Sequence, residues 1–114
     1  MPVLEIRTYR LKPGTRDEFV RVMREESAPL LAAAGIRVLD AGPSLVDEDG
    51  FEEAYLVRVF DSLEHRAAQE DAFYGSAVWR EGPREAIVSR IETYHTIVVE
   101  VPAAVIAHWR PATP

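Results

Sequence analysis

VLEIRTYRL (residues 3–11) alternates residue by residue. Leu4, Ile6 and Thr8 fall on one side, and Glu5, Arg7 and Tyr9 on the other. A period of two is the signature of a strand with unlike faces. Lys12-Pro13-Gly14 closes it as a turn. Thr15 opens a helix, with Glu18 three residues on in the pattern of a capping box. Phe19, Val22, Met23 and Leu30 share one face of it. Pro29 lacks an N–H, so a break or kink is expected there, and Gly35 is placed as the C-terminal cap.

The rest of the chain repeats this alternation of strand and helix. Residues 36–46 read as a second strand, with Gly42-Pro43 marking an edge position or a bulge. Asp47-Glu48-Asp49-Gly50 is a polar turn, and residues 51–60 form a third strand that pairs with the second as a hairpin. Asp61 or Ser62 caps a helix that runs to about Tyr74. A further helical stretch is interrupted at Gly82-Pro83, and residues 92–101 form a final strand. The order β-α-β-β-α-β predicts an α+β, ferredoxin-like domain with a four-stranded antiparallel sheet and helices on one face. The domain is expected over residues 1–102, followed by a Pro-containing apolar tail over 103–114 that lies on a neighbouring surface.

Composition narrows the classes of function. The 114 residues carry a net charge of −6, and the basic residues, nearly all Arg, are dispersed among acidic ones. Nucleic acid is therefore not expected as a partner, because phosphate backbones need clustered cations. The Arg-rich, Lys-poor usage suggests a bacterial source. Without cysteine there is no thiolate catalysis, disulfide or Cys-based zinc site. No pair of residues shows a helical metal spacing. No apolar run approaches the ~20 residues that span a bilayer. The N-terminus lacks a signal-peptide pattern, so a cytoplasmic protein with no cofactor is expected.

Strand faces argue for a second copy. The last strand carries Thr93, His95, Ile97 and Val99 against Glu92, Tyr94, Thr96 and Val98, and neither side is a clean solvent face. One layer of helices covers only one side of a sheet. Pairing sheet against sheet in a two-fold homodimer would cover the other.

Several residues resemble a known family. Glu5, Arg7, Tyr9, Pro13 and Gly14 resemble the opening strand and turn of the NIPSNAP family, often written E-x-R-x-Y-x-x-x-P-G. Val59-Phe60-Asp61-Ser62-Leu63-Glu64-His65-Arg66 is similar to that family's strand end and helix start, and Val78-Trp79-Arg80 to its second helical region. The acidic turn at 47–50 and the Pro-rich tail depart from the usual form. The resemblance implies a dimeric α/β barrel closed from two ferredoxin-like subunits. Cofactor-free monooxygenases and isomerases share that superfamily, but fold kinship alone assigns no chemistry.

Candidate site residues follow from their chemistry. His95 is a general-base candidate, because imidazole titrates near neutrality; the plain alternative is a hydrogen-bonded histidine in a barrel wall. Arg7, Tyr9 and Arg58 are polar groups on strands with buried neighbours. A buried guanidinium needs a carboxylate, which Glu5, Glu92 or Glu100 supplies, or an anionic ligand bearing a carboxylate or phenolate. Tyr55, Tyr74 and Trp79, with Phe73, are candidates to line an apolar pocket or simply to pack the core. The expected function is binding of a small apolar or aromatic ligand between sheet and helices. The alternative is a cofactor-independent monooxygenase or isomerase acting on an aromatic or polyketide-like substrate.

Overall fold

The computed structural model describes residues 1–109. Its strands are β1 (Val3–Leu11), β2 (Arg37–Pro43), β3 (Glu52–Phe60) and β4 (Ile91–Glu100). They form one antiparallel sheet in the order β2-β3-β1-β4. The helices are α1 (Arg16–Val22), α2 (Ala28–Ala33), α3 (Leu63–Tyr74), α4 (Ala77–Arg80), α5 (Arg84–Val88) and α6 (Ala103–Ala107). This is the ferredoxin-like α+β arrangement the element order predicts.

Helices α1 to α5 pack on the face that carries Glu5, Arg7, Tyr9 and Leu11. Phe19, Val22, Leu31, Leu56, Phe60 and Ile87 fill the space between the layers, each at most 3% exposed. Register fixes which face each neighbour shows. Ile6 pairs with Val57 and Ile97, and Thr8 pairs with Tyr55 and His95, so these side chains share the opposite face of the sheet. There a smaller cluster of Leu4, Leu39 and Val57 is capped by Ile106 of α6. Part of the second face is thus covered by the chain's own C-terminal segment. On β4 of that face Ile97 remains 47% exposed and Val99 38% exposed. The end of the expected tail, 110–114, lies outside the described residues.

Local chemistry explains the departures from expectation. Thr15 does not cap α1 with its side chain; its Oγ1 donates to the Lys12 carbonyl at 2.6 Å. The cap comes from β3, where Glu52 accepts from the amides of Gly14 at 2.9 Å and Arg16 at 3.1 Å. An anionic oxygen there satisfies orphan amides and meets the positive end of the helix dipole. Pro29 does not break the helix. Residues Met23–Ser27 widen into a π turn, and Pro29 then sits in the first turn of α2, where no N–H is needed. Strand β2 ends at Pro43 rather than at Val46, with Leu45 and Val46 exposed. It is an edge strand, and its register shifts between Val38 and Asp40. Gly82 lies between α4 and α5, where a Cβ would sit 2.3 Å from the Val78 carbonyl oxygen, so the position requires glycine.

Candidate functional site

Alternation in β1 aims three polar residues, Glu5, Arg7 and Tyr9, at the helical layer. An exposed carboxylate would tolerate this easily, but Glu5 is wholly buried, and so is Arg58 on the paired position of β3. A buried charge survives only when it is compensated. Arg58 donates from Nε to Glu5 Oε1 at 2.7 Å and also from Nη2 to the same carboxylate. Its Nη1 donates to the Tyr74 hydroxyl at 2.7 Å, and its Nη2 to Glu70 Oε2 at 3.2 Å. Arg66 Nε donates to Glu5 Oε2 at 2.7 Å. Helix α3 delivers Arg66, Glu70 and Tyr74 together because residues four apart share a helix face.

Three cations therefore meet two carboxylates. The third cation, Arg7, donates from Nε to Thr96 Oγ1 at 2.9 Å. Its Nη2 lies 3.8 Å from Glu5 and 3.6 Å from Glu70, in ion-pair range but too long for a hydrogen bond. The face of Tyr94 lies under the guanidinium, 5.3 Å from its carbon.

The two carboxyls are driven apart in acidity. Burial works against the charge of Glu5, but the hydrogen bond with Glu70 and the cations of Arg58 and Arg7 outweigh it and bring its pKa down to about 2. Burial and the contact with Glu5 push Glu70 up to about 7, against the pull of Arg58. Two carboxyls in contact hold one proton between them, and the less compensated one keeps it. Burial also raises the Tyr9 phenol, reinforced by Tyr74, so Tyr9 stays protonated at neutral pH.

This cluster forms one wall of a cavity of about 300 Å³ between the sheet and the helices. Arg7, Glu70, Tyr9 and Tyr94 are among its polar lining residues, and Phe73, Trp79, Leu31 and Ile87 among its apolar ones. Tyr74 and Trp79 meet edge to face at 5.2 Å. Ser27 also lines it, brought there by the π turn. Its hydroxyl is buried and has no hydrogen-bond partner among the described residues. An orphaned hydroxyl of this kind costs about 1–3 kcal/mol.

The candidates from the sequence separate cleanly. Arg7, Tyr9, Tyr74 and Trp79 converge on the cavity. Arg58 stands behind it, fully engaged in the ionic cluster. Tyr55 and His95 lie on the opposite face of the sheet. Tyr55 donates to Asp40 at 2.9 Å, and His95 is exposed in a separate groove with Thr8, Arg10 and Thr93. Neither lines the cavity. Glu70 and Ser27 were not singled out from sequence. The spacing of Arg66, Glu70 and Tyr74 was the available signal for the first; nothing marked the second. Among the described residues no group of three or more His, Cys, Asp or Glu is placed to hold a metal ion. No helix among them is long and apolar enough to cross a membrane.

Residues 4–102 match the model of the NIPSNAP family. A crystal structure of an uncharacterized NIPSNAP domain protein from Burkholderia xenovorans superposes with a TM-score of 0.72 at 23% identity, covering 89% of this chain and 95% of that one. A NIPSNAP family protein from Agrobacterium tumefaciens gives 0.75 at 19% identity, covering 90% and 94%. A putative antibiotic biosynthesis monooxygenase from Chloroflexus aurantiacus gives 0.52 at 17% identity, covering 90% and 96%. At these identities the structural likeness is one of fold. No curated protein matches the chain.

Proposed function

The chain belongs to the NIPSNAP family, and on that premise we propose that it binds a small aromatic or apolar molecule carrying an anionic group. The single observation behind this reading is the cavity beside Arg7, lined mostly by apolar and aromatic residues with a few polar groups. Its volume of about 300 Å³ is at the lower end for ligand sites, which suits a compact molecule. Three arginines against two carboxylates leave the wall with surplus positive charge even when both carboxylates are ionised. Of the three arginines, Arg7 is the one that lines the cavity, and its Nη2 stands 3.6 Å from Glu70 and 3.8 Å from Glu5, beyond hydrogen-bond length. A ligand carboxylate or phenolate there would complete the cluster.

Isothermal titration with 3-phenylpropionate and its neutral analogue 3-phenylpropanol tests the reading. The carboxylate is expected to bind and the alcohol to bind more weakly. Arg7→Met should weaken carboxylate binding by about 10- to 100-fold, the worth of a charge-assisted hydrogen bond. Equal binding of acid and alcohol, or an unaffected Arg7→Met variant, would refute it.

The functional unit in this proposal is a cytoplasmic homodimer built from the domain over residues 1–102. Exposed Ile97 and Val99 on β4, beside the part of the face that Ile106 covers, support a second copy as the occupant. Light scattering at micromolar concentration is expected to give twice the chain mass. A second reading, a cofactor-independent monooxygenase or isomerase, is favoured by one observation: an ionisable carboxyl, Glu70, opens on the same cavity.

A further inference from the structure

We infer that the cavity is a proton-transfer site, in which Glu70 moves a proton at a carbon next to the carbonyl of an aromatic 2-oxo carboxylate held by Arg7. The inference rests on the ligand reading above and adds a reaction class to it.

Glu70 lines the cavity on the same side as Arg7, with its Oε1 3.6 Å from Arg7 Nη2. A carboxylate seated on Arg7 is thereby brought next to the Glu70 carboxyl. The groups around Glu70 are Glu5 and Arg7 from β1, Arg58 from β3, and Arg66 and Tyr74 from its own helix, with Tyr9 and Tyr94 lining the same cavity. Glu5 is the fixed anion of this group, bonded to Arg58 and Arg66. Glu70 is the carboxyl left to exchange its proton, and its pKa near 7 lets it both take and return one at neutral pH. The contrast between the two carboxyls separates a structural role from a chemical one. Tyr9, kept protonated by burial, and Arg7 are the available stabilisers for negative charge that builds on the substrate oxygen.

The step balances without a further reagent. Ionised Glu70 takes a proton from the carbon flanking the carbonyl. The C–H pair becomes a C=C bond, and the carbonyl π pair moves onto oxygen to give an enolate. Protonated Glu70 then returns the proton to carbon, or to oxygen to release the enol. Nothing is oxidised or reduced, and the product is a tautomer of the substrate. Ser27, the orphaned hydroxyl in the cavity lining, is a further hydrogen-bond donor for a substrate oxygen.

Phenylpyruvate in deuterated water is the probe, followed by NMR as its methylene hydrogens exchange for deuterium. The protein is expected to accelerate exchange over the protein-free rate. Glu70→Gln should lower that acceleration by about 100- to 10,000-fold, the usual worth of a general base, while phenylpyruvate binding is retained. The wild-type rate, after subtraction of the protein-free rate, should rise with pH and level off above about 7. Binding without accelerated exchange would overturn this inference and leave the ligand reading intact. Absence of binding would overturn both. Exchange that persists in Glu70→Gln would overturn the assignment of Glu70. Should that variant fail to fold, the wild-type pH profile decides, and a rate flat between about pH 5 and 8 contradicts the assignment.

Discussion

Arg58→Ala probes the ionic cluster where it is most enclosed. Arg58 and Glu5 are both wholly buried, so the substitution leaves an anion with no water to replace its lost partner. It removes both Arg58 bonds to Glu5, the bond to Tyr74 and the bond to Glu70. Removing one partner of a buried pair typically costs about 3–5 kcal/mol. Glu5 keeps Arg66 at 2.7 Å and Arg7 at 3.8 Å, which argues for the low end. The void left by the Arg58 stem pushes the other way. The working figure is a loss of about 3–4 kcal/mol, or roughly 10–20 °C in Tm for a domain of this size. Urea unfolding at several pH values is the assay. The folded-state pKa of Glu5 lies below its ordinary value, so its stabilisation is complete above about 4.5 and fades as pH falls toward about 2. In the variant this carboxyl titrates higher, so the gap between wild type and variant should be full at pH 7 and narrow in acid. Combining Arg58→Met with Glu5→Leu should cost less than Arg58→Ala alone, since no buried anion is stranded and Glu70 can then ionise beside Arg7 and Arg66. A loss under about 1 kcal/mol at pH 7, or a gap that does not shrink in acid, would refute the reasoning.

Three other perturbations follow from particular contacts. Gly82→Ala forces a Cβ against the Val78 carbonyl and should destabilise by about 1–3 kcal/mol in denaturant unfolding, where Gly14→Ala, with open space around it, is limited to the cost of its positive φ. Glu52→Ala removes the long-range cap of α1 and should cost about 0.5–2 kcal/mol, while Thr15→Val, which loses only the exposed bond to the Lys12 carbonyl, should cost less. Glu70 has a raised folded-state pKa, so its contribution favours the fold below about 4.5 and is lost as pH rises through about 7. Glu70→Gln should therefore flatten the stability profile in that window, by about 1–2 kcal/mol after allowance for solvent screening at the cavity wall.

The architecture was legible because its signals are local. Alternation in residues 3–11, the turn at Pro13-Gly14 and the β-branched last strand need only their own neighbours to be read. Which face of the sheet the helices cover was not legible. Leu4 and Ile6 look more like core than Glu5 and Arg7, but the helices lie over the charged side, because Arg58, Arg66 and Glu70 arrive from distant elements to neutralise it. That choice decided the fate of His95. It alternates on one face with Thr93 and Ile97, and pairing with Thr8 places it away from the cavity. The cap from Glu52 was hidden for the same reason, being supplied across 36 residues of sequence. Glu70 was within reach, since an Arg-Glu-Tyr stripe at steps of four on one helix is a charged face that asks for partners.

The most direct test of the account is a crystal structure of the protein with 3-phenylpropionate bound. The carboxylate is expected within about 3 Å of an Arg7 terminal nitrogen and the ring among Phe73, Tyr74 and Trp79. A ligand seated on the opposite face beside His95 and Ile97, or a cavity left without it at saturating concentration, would contradict the account.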